Sequence, residues 1–386
     1  MIADAPLDAA RKLAPQIRAA ADEAEALREV PRKLFEAIFD AGLVHLAIPR
    51  SVGGTEVDFP TYVQVIEELG KADASTAWTI NQLSIFGTYA ARMPREVARQ
   101  IWIDTPYGCA ANTPSATGKA VVMPGGYRVT TPRQGFSTGS RNAAWVAAHC
   151  QVIENGKVRK EADGTPEARY LFVPVAEAEL LDTWKVRGMR GTGTHHFAVH
   201  DVFVPGERTV LSATATLREP GPLYKIPRTL AFASGDAAVA FGMARSCLTA
   251  FMELAGSKTP RSTPGLLRDQ SLTQVAVGQA EAALRTGRAF LMEAVREIWS
   301  AAQNDAVTLD ERANLRLATT HGIRLAAQII DTVYNASGAT SAYEDNLIQR
   351  HFQDIHVITQ HMQGRLSHYE LIGRYWLGLS IDEARL

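Results

Sequence analysis

The sequence predicts a mainly α protein with a central β domain, and three changes of texture along the chain carry that expectation. Apolar residues recur at helical spacing up to about residue 105. From 106 to about 215, Gly, Pro and Thr become frequent and short β-branched or aromatic runs appear. From about 225 to 386, long helical periodicity returns. The expected domains are therefore a helical one over 1–105, a β domain over 106–215 and a helical bundle over 225–386.

Each region has its own signals. Leu7 to Ala24 reads as one charged, Ala-rich helix. A second helix holds Leu34, Ile38 and Ala41 and stops at Gly42, and a third follows Phe59-Pro60 with Tyr62, Val65, Ile66 and Leu69 in step. Ala74 to Ala91 is apolar enough to be buried. In the middle region the clearest strands are Trp145–Ile153, Tyr170–Val175 and Phe197–Val204, with turns at Gly125-Gly126 and Asn155-Gly156. Near the C-terminus, Leu272, Ala276, Ala283, Gly287, Phe290, Ala294 and Ile298 form one stripe. Leu315, Ala318, Gly322, Leu325 and Ile329 form another, with large and small residues mixed as in close-packed bundles.

Composition narrows the function. The chain has 386 residues and a formal net charge of -1, so it has no basic footprint and nucleic acid is not an expected partner. No run approaches 18 uninterrupted apolar residues, so no membrane span is expected. The opening MIADAPLDAARKLAPQ lacks the pattern of a secretory signal. Cys109, Cys150 and Cys247 lie far apart, which is neither a disulfide scaffold nor a zinc framework, and a reducing cytoplasm is the expected compartment. His351, His356 and His361 step by five and point different ways on a helix, so they are not expected to share a metal ion.

No dinucleotide fingerprint, phosphate-binding P-loop, HExxH or GxSxG is present. The segment Trp184-Lys-Val-Arg-Gly-Met-Arg-Gly-Thr-Gly-Thr194 is Gly-rich but runs into a strand. Its hydroxyls and free N–H groups could meet a polar ring edge or a phosphate, or be ordinary turn threonines.

These residues carry a resemblance. Trp184 to Thr194, followed by Val202-Phe203-Val204-Pro205, resembles the WGxRGTxS…VxVP segment of the acyl-CoA dehydrogenase superfamily, and Ile48-Pro49 with Gly53-Gly54 resembles its early P…YGG signature. Asp73-Ala-Ser-Thr-Ala-Trp78 resembles the DxSxAW signature of the superfamily's flavin-dependent hydroxylase branch. Gly125-Gly126-Tyr-Arg-Val129 with Gly135-Phe136-Ser137-Thr138-Gly139-Ser140, and Leu347-Ile-Gln-Arg350 through Asp354, His356 and His361, match further stretches of that branch.

The resemblance implies a three-domain fold: an N-terminal helical domain, a middle β-barrel-like domain and a C-terminal four-helix bundle. It implies the oxygenase component of a two-component monooxygenase. A separate NAD(P)H-flavin reductase supplies reduced FMN or FAD, no metal takes part, and a small phenol- or indole-like substrate is hydroxylated with O2 through a C4a-(hydro)peroxyflavin. A homotetramer is the implied assembly. His361 is the implied base, because a neutral imidazole can take a phenol or N–H proton. Thr138 is the implied partner of the flavin ring near N5. Phe136, Ser137, Trp184, Thr192 and Thr194 join it at the cofactor, with Arg261 as a phosphate ligand. Trp78, Asn81, Gln82 and Phe86 are expected to line the substrate cavity beside His361, while His356 is expected to be a structural neighbour and Ser140 a structural or rim residue. In a dehydrogenase-type reading the base would instead be Asp345, or Glu344 beside it; a non-catalytic flavin-binding protein is the other alternative.

Overall fold

Capping side chains and apolar spacing set the N-terminal helices, seen in a computed structural model that describes residues 5–261 and 263–386. The first residues of the N-terminal stretch, Met1–Asp4, lie outside the described residues. The helices are α1 (Ala5–Ala19), α2 (Ala21–Leu27), α3 (Arg32–Asp40), α4 (Phe59–Ala72), α5 (Ala74–Phe86) and α6 (Arg95–Arg99). The run expected as one helix over Leu7–Ala24 is two, because Ala20 adopts a turn conformation at φ -91, ψ -2. Asp58 caps α4 by accepting from the Thr61 N–H at 2.8 Å, with Pro60 in the first turn. Asp73 does the same for α5 through the Thr76 N–H at 2.7 Å. All but one of the α5 residues are buried, so it is a core helix with no solvent face.

Among the described residues, nine strands fall between Ala110 and Leu211: β1 (Ala110–Asn112), β2 (Gly118–Met123), β3 (Gly126–Ser137), β4 (Trp145–Glu154), β5 (Lys157–Val158), β6 (Ala168–Pro174), β7 (Glu179–Leu181), β8 (His195–Pro205) and β9 (Thr209–Leu211). They form one sheet in the order β7-β8-β3-β2-β4-β6-β9, with β1 and β5 both on β4. The long antiparallel pair β3–β8 slips register three times between Val129 and Ser137. Such irregularities re-aim side chains. This one ends at Ser137 opposite His195, which brings the turn after β3 against the Gly-rich segment before β8.

The remaining helices are α7 (Arg228–Ser257), α8 (Ser271–Gln303), α9 (Leu309–Ser337), α10 (Leu347–Ile358) and α11 (Ser367–Trp376). A full capping box of Thr308 and Glu311 starts α9. Among the described residues α7 is long and apolar enough to cross a membrane by length and composition, but 61% of that stretch is buried inside the protein, as befits a core helix. One large core joins α1, α3, α4 and α5 to the bundle. A second, aromatic core of Phe86, Tyr89, Trp102, Tyr170 and Phe172 locks the N-terminal helices to the sheet. On the α8 stripe, Gly287, Ala294 and Ile298 are buried, whereas Leu272 is 84% exposed.

Candidate active site

Two clusters of polar side chains meet at α5. The first is built where β3 ends. Thr138 Oγ1 lies 2.9 Å from Thr194 Oγ1, which lies 2.7 Å from Thr192 Oγ1, and the Thr192 hydroxyl donates to the Met189 carbonyl at 2.9 Å. The Trp184 indole N–H donates to the same carbonyl at 2.9 Å. Backbone bonds tie the two turns together, Gly139 N–H donating to Thr192 O at 3.1 Å. The Ser137 and Ser140 hydroxyls beside them are buried with no partner in the chain. Phe136, at φ +60, stands 64% exposed with its ring edge-on to His196.

Behind this turn stands His195, whose Nδ1 accepts from the backbone N–H groups of Trp184 at 3.2 Å and Thr183 at 3.3 Å. Burial holds its imidazole down at about 4, so it is neutral and carries its proton on Nε2. Asp354, on α10, accepts from the Met189 N–H. Burial pushes that carboxyl up to about 8.

The second cluster is built on α5, α7 and the chain after α10. Asp236, fully buried on α7, accepts from Asn81 Nδ2 at 2.9 Å and Gln82 Nε2 at 3.0 Å, both on the same carboxylate oxygen. The Tyr62 hydroxyl donates to Asn81 Oδ1 at 2.6 Å. The other Asp236 oxygen lies 3.1 Å from His361 Nδ1. The Trp78 ring meets the His361 ring edge-on at 5.0 Å. Burial raises the Asp236 carboxyl, and the neighbouring His361 and the two amides pull it back down. The same carboxylate, after burial itself, holds the Tyr62 phenol well above its ordinary range.

α5 spans both clusters. Its Thr79 hydroxyl reaches the Thr192 carbonyl at 3.5 Å, and its Asn81 and Gln82 reach Asp236. The structure therefore brings Trp78, Asn81, Gln82 and His361 together, and separately Ser137, Thr138, Trp184, Thr192 and Thr194. His361 is not on a helix, as its apolar neighbours Val357, Ile358 and Met362 led one to expect. The helix ends at Ile358, and His361 sits in an extended conformation at the head of a short 3-10 turn.

Two expected site residues go elsewhere. Phe86, about 12 Å along α5 from Trp78, is buried in the aromatic core against Tyr89 at 5.0 Å and Tyr170 at 5.1 Å, so it is packing rather than cavity wall. Arg261 is exposed just beyond α7. Asp236 and the C-terminal end of α7 are about 32 Å apart at 1.5 Å per residue, so within one subunit Arg261 does not join the site. Glu344 and Asp345 are both exposed just before α10, whose length puts about 18 Å between its ends; His361 lies beyond the other end. His356 is a surface residue, its Nε2 3.0 Å from Asp331. Sequence reasoning missed Asp236 and His195. Asp236 had a signal, since it is the only charged residue between Arg228 and Arg245 in an otherwise apolar run.

The residues at the first cluster suit a flavin's polar ring edge: buried hydroxyls without partners sit beside a chain of three threonines whose protons can reorient toward an acceptor.

Comparison with known proteins agrees with this architecture. Residues 4–105 match the family model "Acyl-CoA dehydrogenase, N-terminal domain" and residues 234–365 match "Acyl-CoA dehydrogenase, C-terminal domain", together more than half of the chain. The chain is 29% identical over 346 residues to indole-3-acetate monooxygenase of Pseudomonas putida, covering 89% of this chain and 86% of that one. It is 25% identical over 385 residues to the FADH2-dependent resorcinol hydroxylase, oxygenase component, of a Rhizobium species, covering 95% and 92%. The crystal structure of XiaF from Streptomyces in complex with FADH2 and glycerol superposes with a TM-score of 0.88 at 25% identity, covering 97% and 95%. With both family domains matched and relatives of this kind along nearly its whole length, the chain belongs to the acyl-CoA dehydrogenase superfamily, in its branch of flavin-dependent monooxygenase oxygenase components.

Proposed function

We propose that this chain binds reduced FMN or FAD delivered by a separate NAD(P)H-flavin reductase and hydroxylates a small phenol- or indole-like molecule with O2. The observation that carries the reading is α5 holding the Thr138–Thr194–Thr192 hydroxyl turn on one side and His361, beside Trp78 and Gln82, on the next. When bound, the reduced flavin supplies the electrons that activate O2 and passes on one oxygen atom. Thr138, with Ser137, Thr192, Thr194 and Trp184, holds and orients the ring edge. His361 takes the proton from the substrate O–H or N–H through Nε2, which makes no hydrogen bond in the chain and is not buried. Trp78 and Gln82 shape the space beside it. The three buried, unpaired cysteines suit a reducing compartment such as the cytoplasm.

Mixing the protein with reduced FMN or FADH2, O2 and a panel of phenols and indoles is expected to give hydroxylated product. A tightly bound flavin that bleaches with acyl-CoA, and no product from the panel, would replace this reading with the dehydrogenase one. The exposed Glu344 and Asp345 argue against that outcome.

Thr138→Ala removes one end of the hydroxyl chain. Losing such a hydrogen bond costs ~1–3 kcal/mol, so the share of reduced flavin lost as free hydrogen peroxide is expected to rise several-fold in a coupled peroxide assay. An unchanged yield would take Thr138 out of the cofactor site.

The assembly is proposed as a homotetramer. Its support is the apolar start of α8, where Leu272 is 84% and Val275 54% exposed in the single chain. An Arg261 role at the flavin phosphate then requires that it reach the site across a subunit boundary. Light scattering is expected to give a particle several times the 42.0 kDa subunit mass; a 42.0 kDa particle at micromolar concentration overturns both points.

A further inference from the structure

We propose that Asp236 is a positioning residue for His361: its carboxylate holds the Nδ1–H, leaves Nε2 as the basic nitrogen, and balances the positive charge when Nε2 takes a substrate proton. The proposal rests on the reading of His361 as the base.

The geometry separates the two carboxylate oxygens. Oδ1 takes the amides of Asn81 and Gln82, and Oδ2 makes no aligned hydrogen bond but faces His361 Nδ1 at 3.1 Å, an ion-pair distance between two buried atoms with no other partner. The arrangement is tightly held. A Cβ on Gly235 would lie 1.8 Å from Asn81 Oδ1, so α5 and α7 make their close approach beside the carboxylate. Among the described residues His361 is the one group within ion-pair reach of Asp236, which is 0% exposed. The buried Arg316 guanidinium lies near enough to feel the Asp236 charge but bonds to Gln363 and Thr229 instead, so no cation other than His361 touches the carboxylate. A buried carboxylate without a permanent contacting cation is costly, and an acceptor for two amides could have been an Asn. A carboxylate is needed where a neighbour becomes positive during turnover, which is the arrangement of a base oriented by a third group.

The other charged or titratable groups around this pair do not take over the role. Arg316, on α9, bonds to Gln363 and Thr229. Arg324, also on α9, donates to the carbonyls of Thr359 and Gly364 that flank His361. Tyr62, on α4, reaches Asp236 only through Asn81. His368, on α11, lies 3.0 Å from the Thr320 hydroxyl. None of these is a carboxylate, and burial keeps the Tyr62 phenol protonated.

Asp236→Asn is the informative variant, because an Asn oxygen still accepts from Asn81 and Gln82 while its amide presents a donor to Nδ1. His361 then turns to the other tautomer, with the proton on Nε2, and loses its basic site. Product formation, measured with whichever phenol or indole the wild type converts fastest, is expected to fall by ~10²-fold or more. Adding Asp236→Asn to His361→Ala is expected to cost nothing further.

A wild-type rate in Asp236→Asn, with His361→Ala slow, would overturn the positioning role and leave the base standing. A fully active His361→Ala would overturn the base reading itself. Should Asp236→Asn fail to fold, the 15N spectrum of histidine-labelled wild-type protein, assigned by difference from His361→Ala, decides the matter without turnover. The Nδ1–H tautomer is expected, and the Nε2–H tautomer overturns the proposal.

Discussion

His361→Ala is expected to slow hydroxylation by roughly 10²–10⁴, the range lost when a positioned general base is removed, while binding of reduced flavin changes little. The separation follows from the two clusters. His361 touches Trp78 and Asp236, and none of the threonines of the hydroxyl turn. Product formed per reduced flavin consumed, followed together with flavin titration, reads both quantities. His356→Ala is the matched control. Its imidazole and the Asp331 carboxylate are 45% and 42% exposed, so the pair is worth less than ~1 kcal/mol and neither rate nor flavin affinity should move. A His361→Ala protein that couples oxygen to product normally would end the assignment of His361 as base.

Gly188→Ala is expected to damage both stability and flavin binding. A Cβ there would lie 2.3 Å from the Gln353 carbonyl oxygen and 2.8 Å from the Asp354 N, both backbone atoms of α10 that cannot swing aside. The next residue donates its N–H to the Asp354 side chain, so relief of the clash pulls the Gly-rich turn off the helix and breaks that bond too. Overpacking of this kind costs about 1–3 kcal/mol or more. The melting temperature should fall by several degrees, and reduced flavin should bind more weakly, because Thr192 and Thr194 ride on the same turn. Gly278→Ala, an exposed mid-helix glycine with nothing within 4 Å of the added carbon, should be neutral or stabilise by up to ~1 kcal/mol. Equal melting temperatures for the two variants would mean that the turn does not need its contact with α10.

The order of helices, strands and helices was legible because the hydrophobic period changes from 3.6 to 2 and back; the expected strands Trp145–Ile153 and Phe197–Val204 lie inside the observed β4 and β8, and Tyr170–Val175 overruns β6 by one residue. Local detail was less so. The break falls at Ala20, the best helix former, while Pro15 lies inside α1. The chain leaves its helix before His361 under the hold of Arg324, whose guanidinium donates to Gly364 O at 2.7 Å and Thr359 O at 3.1 Å from 40 and 35 residues away. No window around His361 contains that information. Phe86 follows Gln82 by four residues and shares its side of α5 by spacing, yet Tyr170 and Phe172 of β6 capture it. Asp236 was visible as a lone charge in an apolar run, but only the fold shows that it faces His361.

The burial of α5 limits how such a protein can change its substrate. Of the thirteen residues from Ala74 to Phe86, twelve are buried, and those that do not fill the core carry the cap, the Asp236 bonds or the contact with the hydroxyl turn. Gln82 is the one position of α5 that is not buried. A new acceptor shape therefore has to be accommodated at Gln82 or from across the gap, in the short stretch after α10 that carries His361. Directed variation of this scaffold is best confined to those two places, since libraries spread along α5 would mostly report on folding.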